Sequence, residues 1–139
     1  MIKDQTILRP RYGEVDQMGY VYHGNYVNYC HQARTELMRK LGIEDKQLES
    51  LQIMMPVITM NLHYHKPAGY DDELIVHTLI DKMPATRMHF RFKIVNRKKE
   101  LICDAETIVV FVNSKTRKPL RTPPIVKDAL EPYFVAVSL

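Results

Sequence analysis

The chain has 139 residues, a formal net charge of +4, 45% hydrophobic residues and 26% charged residues, which is typical of one soluble globular domain over residues 1–139. No apolar stretch approaches the length of a membrane span and the first residues have no signal-peptide pattern, so we expect a cytoplasmic protein. The excess positive charge collects in residues 96–99 and 115–118 without interleaved aromatic residues, which argues against a nucleic-acid-binding domain.

In chain order, the first predicted element is a short strand over residues 6–12. Asp16 follows in a loop that contains Gly19, and a helix is predicted to start near residues 23–25. An acid opposite a helix start can be half of a hydrolytic site, because the unpaired N–H groups and partial positive charge there stabilise a developing oxyanion. A second interpretation of Asp16 is a turn residue, since Asp followed by Gly three positions later is common in loops.

Residues 26–41 are predicted to form the one long helix. The apolar residues recur every three or four positions, at Tyr26, Cys30, Ala33, Leu37 and Leu41. Gly42 supplies a C-terminal stop, after which Ile43 can fold back onto the last turn. Glu36 and Lys40 have the spacing of an ion pair on the other side of the helix.

After a polar stretch at residues 44–49, the hydrophobic period changes to two. Strands are predicted over residues 58–64, 74–82, 88–94 and 101–112, with a last short one around residues 117–121. The predicted buried face of the first of these strands is Ile58, Met60, Leu62 and Tyr64. Links of turn length favour an antiparallel meander, and the apolar helix stripe must be buried against it.

We therefore predict an α+β fold, in which an antiparallel sheet of five or six strands is curled around one central helix. Such a sheet has at least one edge to cover, and a second copy that continues the sheet would cover it. The two cysteines, Cys30 and Cys103, lie in apolar patterns and are expected to be buried free thiols in a reducing compartment. No metal-ligand spacing is present, so we expect no metal site.

Several segments of this sequence carry a family resemblance. They are Arg11-Tyr12, Asp16-Gln17-Met18-Gly19, Val21-Tyr22-His23-Gly24-Asn25-Tyr26, Ala33-Arg34-Thr35-Glu36, Tyr64-His65-Lys66-Pro67-Ala68 and Tyr70-Asp71-Asp72. Together they resemble the hotdog-fold acyl-CoA thioesterases, in the branch of 4-hydroxybenzoyl-CoA thioesterase and the Tol-Pal-associated acyl-CoA thioesterases. The similarity runs over residues 8–112.

The resemblance implies a hotdog fold, with an antiparallel sheet wrapped around a central helix. It implies homodimers with a continuous sheet, often paired into homotetramers, and two active sites per dimer at the subunit interface. It also implies an acyl-CoA thioester as substrate, hydrolysed to the free acid and coenzyme A, with no metal and no separate cofactor.

Residue by residue, the resemblance assigns Asp16 as the catalytic acid, either a nucleophile that forms a mixed anhydride or a general base that activates water. The backbone N–H of His23 is the expected oxyanion donor. Gly24 would let the acyl carbonyl approach closely, and Asn25 would bond the loop backbone around the acid. Support for the substrate or the loop is also expected from Tyr12, Gly19 and His31, the last as a residue lining the acyl pocket.

The coenzyme phosphates need cations or free N–H groups at the mouth of the site. Family members carry basic and hydroxyl residues before the fourth strand, where the candidates in this chain are Lys82, Thr86 and Arg87. Pro84 and Ala85 depart from the basic run of 4-hydroxybenzoyl-CoA thioesterase, so the resemblance does not restrict the substrate to aromatic acyl groups and leaves a broader acyl-CoA range open. Another hotdog branch has its catalytic carboxylate on the central helix, but residues 30–32 contain no acid. This absence also argues against a hotdog dehydratase.

Two other functions are compatible with parts of the pattern. A non-enzymatic hotdog module that binds an acyl-CoA or an acyl carrier protein would use the same fold, although the catalytic-type acid argues against it. A small basic nucleic-acid-binding domain would need a recognition motif, and the sequence has none.

Overall fold

The computed structural model describes residues 1–134, and residues 135–139 of the predicted domain lie outside the described part. In chain order the helices and strands are β1 (Ile2–Leu8), α1 (Asn25–Lys40), α2 (Asp45–Ser50), β2 (Ile53–Met54), β3 (Val57–Tyr64), β4 (Leu74–Ile80), β5 (Arg87–Val95), β6 (Leu101–Asn113), β7 (Pro119–Leu120) and α3 (Pro124–Leu130). Two single turns of 3₁₀ helix lie at Tyr12–Glu14 and Glu131–Tyr133. The predicted α+β class is confirmed.

The seven strands form one antiparallel sheet, whereas five or six strands were predicted. The order of the long strands is β1-β4-β5-β6, with β3 on the far side of β6. The two-residue strands β2 and β7 also pair with β6 near its C-terminal end. The predicted meander is therefore correct only for β4 to β6, because the link after β3 carries the chain across the sheet to pair β4 with β1.

Helix α1 packs its apolar side against the inner face of this sheet. The buried side chains of the helix are Tyr26, Tyr29, Cys30, Ala33, Leu37 and Met38. Strand β5 alternates as predicted, with Met88, Phe90, Phe92 and Ile94 buried and the residues between them exposed. Each fully buried large apolar side chain contributes roughly 1.5–3 kcal/mol, so this interface holds the helix in place.

The end of α1 forms as predicted, but its ion pair does not. Gly42 has a φ of +81°, and the Ile43 N–H donates to the Met38 carbonyl at 2.9 Å. The predicted pair of Glu36 with Lys40 is wrong, since Glu36 pairs with Arg39 and Lys40 Nζ lies 2.8 Å from Asp4 Oδ1. The Asp4 side chain on β1 is largely buried, so it attracts the ammonium group more strongly than an exposed carboxylate would.

Strand β1 lies earlier in the chain than predicted. It pairs with β4 from Ile2 opposite Ile80 to Leu8 opposite Leu74, and the following residues leave the sheet. Pro10 cannot donate to a strand ladder, which explains why the strand ends before it. Tyr12, which the sequence placed at the end of a strand, begins the first 3₁₀ turn.

Helices α2 and α3 were not predicted. Helix α2 falls in the polar stretch and buries only Leu48, with the Glu44 N–H donating to Gln47 Oε1 at 2.9 Å in a capping box. Helix α3 has Pro124 in its first turn, where proline is tolerated, and buries Val126 and Leu130. Both helices are too short to show a clear period in sequence.

Strand β3 is an edge of the sheet, and this corrects its predicted buried face. Ile58 and Tyr64 are 47% and 49% exposed, while Met60 and Leu62 are half-buried. The alternation is real, but within residues 1–134 no strand pairs with the outer side of β3. Exposed apolar side chains on an unpaired edge are a feature that native proteins usually cover.

Both cysteines are free and buried, as predicted. Burial raises the pKa of Cys30 to about 12 and the pKa of Cys103 to about 11. Within residues 1–134, no helix combines the length and apolar character needed to cross a membrane.

Candidate active site

A short β-hairpin carries the predicted catalytic acid. Val15 and Val21 pair in an antiparallel bridge, and the Asp16 N–H donates to the Tyr20 carbonyl at 2.7 Å. The Gly19 N–H donates to the Asp16 carbonyl at 3.0 Å, and Gly19 has a φ of +80°. Other residues are strained at this φ, so the turn requires glycine at this position.

The side chain of Asp16 takes part in the turn through one oxygen only. Its Oδ1 accepts hydrogen bonds from the N–H groups of Met18 at 2.9 Å and Tyr20 at 3.2 Å. Among residues 1–134, no donor lies within hydrogen-bonding distance of Oδ2. The turn interpretation is confirmed, and it leaves an oriented carboxylate with one oxygen available for chemistry.

The hairpin packs against the connection between β3 and β4. The Val21 N–H donates to the Ala68 carbonyl at 2.8 Å, and Tyr20 forms a bridge with Gly69. This connection lies at the end of the sheet where β1 finishes and β4 begins. We call it the hairpin end, and the end where β4 finishes and β5 begins the loop end.

Helix α1 begins directly after the hairpin and is attached to it by one carbonyl. The Glu14 carbonyl accepts from the Tyr22 N–H at 2.9 Å and from Asn25 Nδ2 at 2.8 Å. The Asn25 side chain therefore joins the first turn of the helix to the end of the 3₁₀ turn that precedes Asp16. This contact suits the support role expected of Asn25.

Two N–H groups at the start of α1, those of His23 and Gly24, have no acceptor within residues 1–134. First-turn N–H groups lack helical partners and carry the partial positive charge of the helix, so they can receive a negative oxygen. Gly24 has helical angles, φ −67° and ψ −20°. A Cβ atom there would stand 2.8 Å from Cε2 of the Tyr22 ring, which is half exposed and would have to shift to admit a larger residue.

Asp16 and His23 lie at opposite ends of the hairpin. Asp16 pairs with Tyr20 at the turn, and His23 follows Tyr20 by three residues, roughly 10 Å of extended chain. The acid and the start of α1 are therefore presented from the two ends of one short hairpin.

Glu14 and Tyr29 organise this region and were not identified from the sequence. Glu14 Oε1 accepts from the Arg11 N–H at 2.7 Å and from the Tyr29 hydroxyl at 3.2 Å. Burial, with a further contribution from the Glu14 carboxylate, raises the pKa of Tyr29, so its hydroxyl remains a donor. The signal that could have revealed Glu14 is its capping-box spacing, three residues after Arg11.

Tyr64 is a third residue whose place in this region the sequence did not indicate. Its hydroxyl donates to the His23 carbonyl at 3.1 Å, and its ring centroid lies 6.2 Å from that of His23 and 5.6 Å from that of Tyr26. The His23 ring also lies 4.4 Å from the Tyr22 ring. The alternating pattern of β3 marked Tyr64 as a core residue, so a polar role could not be seen.

Neither Tyr12 nor His31 forms a hydrogen bond to Asp16 among residues 1–134. Tyr12 is 80% exposed on its 3₁₀ turn, with its ring edge 5.7 Å from Tyr70 by centroids. His31 is exposed on α1, where its Nδ1 lies 3.0 Å from a guanidinium nitrogen of Arg34. It lines a cavity of about 140 Å³ with Arg34 and Asp45. Burial first, and then the Arg34 charge, lower the pKa of His31.

The candidate phosphate-binding residues lie at the loop end. Lys82 and Thr86 are in the exposed connection after β4, and Arg87 begins β5 opposite Val110. Thr122 Oγ1 donates to the Pro84 carbonyl at 2.9 Å and stabilises this connection. The seven residues of β4, about 20 Å, separate these cations from the hairpin end, so one chain does not bring them to Asp16.

A large depression of about 1000 Å³ lies on the outer face of the sheet, away from the hairpin. Its wall alternates in charge, with Arg91 opposite Glu106 and Lys93 opposite Asp104 on β5 and β6. Cross-strand pairs of opposite charge stabilise an exposed sheet face. We therefore interpret the depression as a charged outer surface of the sheet and do not place the active site there.

Comparison with known proteins agrees with this architecture. The model of the thioesterase-like superfamily matches residues 10–130. The acyl-CoA thioester hydrolase YbgC of Escherichia coli is 34% identical over 116 residues, which are 84% of this chain and 87% of that protein. The acyl-CoA thioesterase YbgC of Haemophilus influenzae is 30% identical over 123 residues, 88% of this chain and 90% of that protein.

A solved structure agrees with the fold over nearly the whole chain. The DHNA-CoA thioesterase of Staphylococcus aureus superposes with a TM-score of 0.82 at 33% identity, covering 96% of this chain and 85% of that one. The sheet wrapped around α1 is the predicted hotdog fold. The chain therefore belongs to the thioesterase-like superfamily and is a hotdog-fold thioester hydrolase.

Proposed function

We propose that Asp16 and the start of α1 carry out the hydrolysis of acyl-CoA thioesters. The observation that supports this assignment is the turn geometry of Asp16. Its Oδ1 is held by two backbone N–H groups, while Oδ2 has no donor among residues 1–134. The unpaired N–H groups of His23 and Gly24 follow on the other side of the same hairpin. An oriented acid and a preorganised oxyanion site are the two groups that acyl transfer needs.

Two routes use these groups. In the nucleophilic route, Asp16 Oδ2 attacks the carbonyl carbon, the C–S bond breaks, coenzyme A leaves as a thiolate, and water then opens the mixed anhydride. In the general-base route, Oδ2 takes a proton from water as that water attacks the same carbon, after which the C–S bond breaks and coenzyme A leaves as a thiolate that takes up the proton. In both routes the carbonyl oxygen becomes negative, and the N–H groups at the start of α1 stabilise it.

The complete site requires a second copy of the chain. Strand β3 is an edge with exposed apolar side chains, and two such edges can pair antiparallel across a two-fold axis. Val57 lies at the loop end and Tyr64 at the hairpin end. Antiparallel pairing therefore sets the loop end of one subunit beside the hairpin end of the other.

In that dimer, Lys82, Thr86 and Arg87 of one subunit lie at the same end of the continuous sheet as Asp16 of the other. Each dimer then has two sites, with the acid from one subunit and the phosphate-binding cations from the other. Two such dimers would form the predicted homotetramer. The proposed reaction uses water, the Asp16 carboxylate and backbone N–H groups, so we propose that no metal or cofactor is required. We also propose that the enzyme works in the cytoplasm.

The test is to replace Asp16 in two ways and measure thiol release from short, long and aromatic acyl-CoA esters. Asp16→Asn keeps an oxygen that can accept the Met18 and Tyr20 N–H groups, so it should fold normally and lose activity by at least about 100-fold. Asp16→Ala should lose activity equally and also lose about 1 kcal/mol of stability, because the turn bonds disappear. Parental activity in Asp16→Asn would disprove the assignment.

The alternative, a non-enzymatic module for acyl-CoA or acyl carrier protein, gives a different result in the same assay. The parent protein would then bind the ester tightly without releasing free thiol. The free Oδ2 of Asp16 and the unpaired N–H groups at the other end of the hairpin favour the hydrolase.

A further inference from the structure

Tyr64 connects the edge strand to the start of α1 at a single atom. Its hydroxyl donates to the His23 carbonyl at 3.1 Å, across 41 positions of sequence. That carbonyl also accepts the helical bond from the Tyr26 N–H, at a long 3.4 Å. The Tyr64 bond is therefore the shorter of the two that hold this carbonyl in place.

The orientation of this carbonyl decides where a neighbouring N–H points. In a trans peptide unit the C=O group and the following N–H point in opposite directions. The unit whose carbonyl belongs to His23 has the Gly24 N–H as its other end. A bond that draws the carbonyl toward Tyr64 therefore directs the Gly24 N–H away from Tyr64, and this N–H has no acceptor within residues 1–134.

The local setting lets Tyr64 keep this role at neutral pH. Burial, with smaller contributions from Cys103, Cys30 and Tyr22, raises the pKa of Tyr64, so the phenol keeps the proton that it donates. The ring packs against Tyr26, which is itself buried, and this packing limits rotation of the ring. Glycine at position 24 has no side chain of its own that could fix the peptide plane.

We propose that Tyr64 is a positioning residue for thioester hydrolysis, holding the peptide unit between His23 and Gly24 so that the Gly24 N–H faces the thioester oxygen. This inference rests on the proposed function, because it assumes that the oxyanion forms at the start of α1. Tyr64 itself does not touch the reacting atoms. Its effect should therefore appear in the chemical step and not in substrate binding.

The variant Tyr64→Phe removes the hydroxyl and keeps the ring. We expect kcat to fall by about 10-fold with KM little changed, since misplacing a catalytic group by about 1 Å can cost up to about 100-fold. Tyr133→Phe is the matched control, because its hydroxyl is exposed and has no hydrogen-bond partner among residues 1–134. An unchanged kcat in Tyr64→Phe would overturn the proposal, and so would a rise in KM of about 10-fold without any loss of kcat.

A spectroscopic measurement separates positioning from general loss of structure. The chain has five glycines, so protein labelled with ¹⁵N-glycine gives a simple amide spectrum. Tyr64→Phe should shift or broaden the Gly24 signal and leave that of Gly42, at the far end of α1, unchanged. Shifts of all five signals together, or of none, would contradict a local role.

The same samples distinguish this inference from the proposed function. If Asp16→Asn is inactive while Tyr64→Phe keeps the parental kcat, the active site stands and the role of Tyr64 fails. If Asp16→Asn keeps parental activity, the proposed function fails whatever Tyr64→Phe does. The proposal is supported only when both variants lose kcat and the Gly24 signal moves.

Discussion

The two ends of the sheet are organised by different forces. At the hairpin end, Asp16, Glu14 and Asn25 each make hydrogen bonds to backbone or side-chain groups that fix their direction. At the loop end, Lys82 and Arg87 are exposed cations with no carboxylate within 4 Å among residues 1–134. Attack on a carbonyl depends on direction, whereas attraction of a phosphate depends mainly on charge. This difference explains why the sequence motif of residues 16–26 belongs to the hairpin end, whereas the loop end offers only a few candidate residues.

The largest expected effect tests whether the two ends work together across subunits. Asp16→Asn and the double variant Lys82→Glu/Arg87→Glu should each be nearly inactive alone. Coexpression should restore about a quarter of the parental activity, because random pairing gives half heterodimers with one intact site each. If activity stays at the level of the separate variants, the acid and the cations do not form a shared site across the two subunits.

A smaller effect should follow when the charge of the loop end is only neutralised. Lys82→Gln and Arg87→Gln should each raise KM for an acyl-CoA by about 10-fold and leave kcat unchanged, since a hydrogen bond to a charged group contributes about 1.5–3 kcal/mol. The increase should shrink as salt is added. A fall in kcat for Lys82→Gln or Arg87→Gln would show that these residues act in the chemical step and not only in binding of the coenzyme.

The smallest effect concerns His31, which the structure places beside neither end. The pKa of His31 is lowered in the folded state, so its contribution to stability is present above the ordinary histidine value of 6.5 and is lost as the pH falls through the lowered value. His31→Gln should therefore lose less stability than the parent on acidification, with kcat unchanged. Urea unfolding across this pH range measures the loss of stability on acidification. A change in kcat would instead support the predicted role of His31 in lining the acyl pocket.

The sequence predicted best where one force dominates. The alternation of β5 and the stripe of α1 report burial alone, and both elements lie where they were predicted. The face of β3 was wrong because alternation shows which residues share a side and not whether another strand covers them. The crossing of the chain between β3 and β4 depends on contacts between β1 and β4, which are distant in sequence.

The site could be predicted only as far as its motif reaches. Asp16, His23 and Asn25 stand in one short run, so their grouping around the start of α1 is visible in the sequence. The role of Tyr64 is not, because it depends on strand β3 ending beside the helix start, 41 positions away. Nor could the sequence show that Lys82 lies at the opposite end of the sheet from Asp16, since that follows from strand register.

The two buried cysteines have a practical consequence for all of these measurements. A thiolate, and not a thiol, reacts with disulfide reagents, and burial raises the pKa of Cys30 to about 12 and that of Cys103 to about 11. We therefore expect the two buried thiols of the folded protein to react very slowly with a thiol-detecting dye, so that colour formed in the assay reports released coenzyme A. Because the two native thiols are buried, a single cysteine introduced on the surface could be labelled selectively with a fluorescent dye.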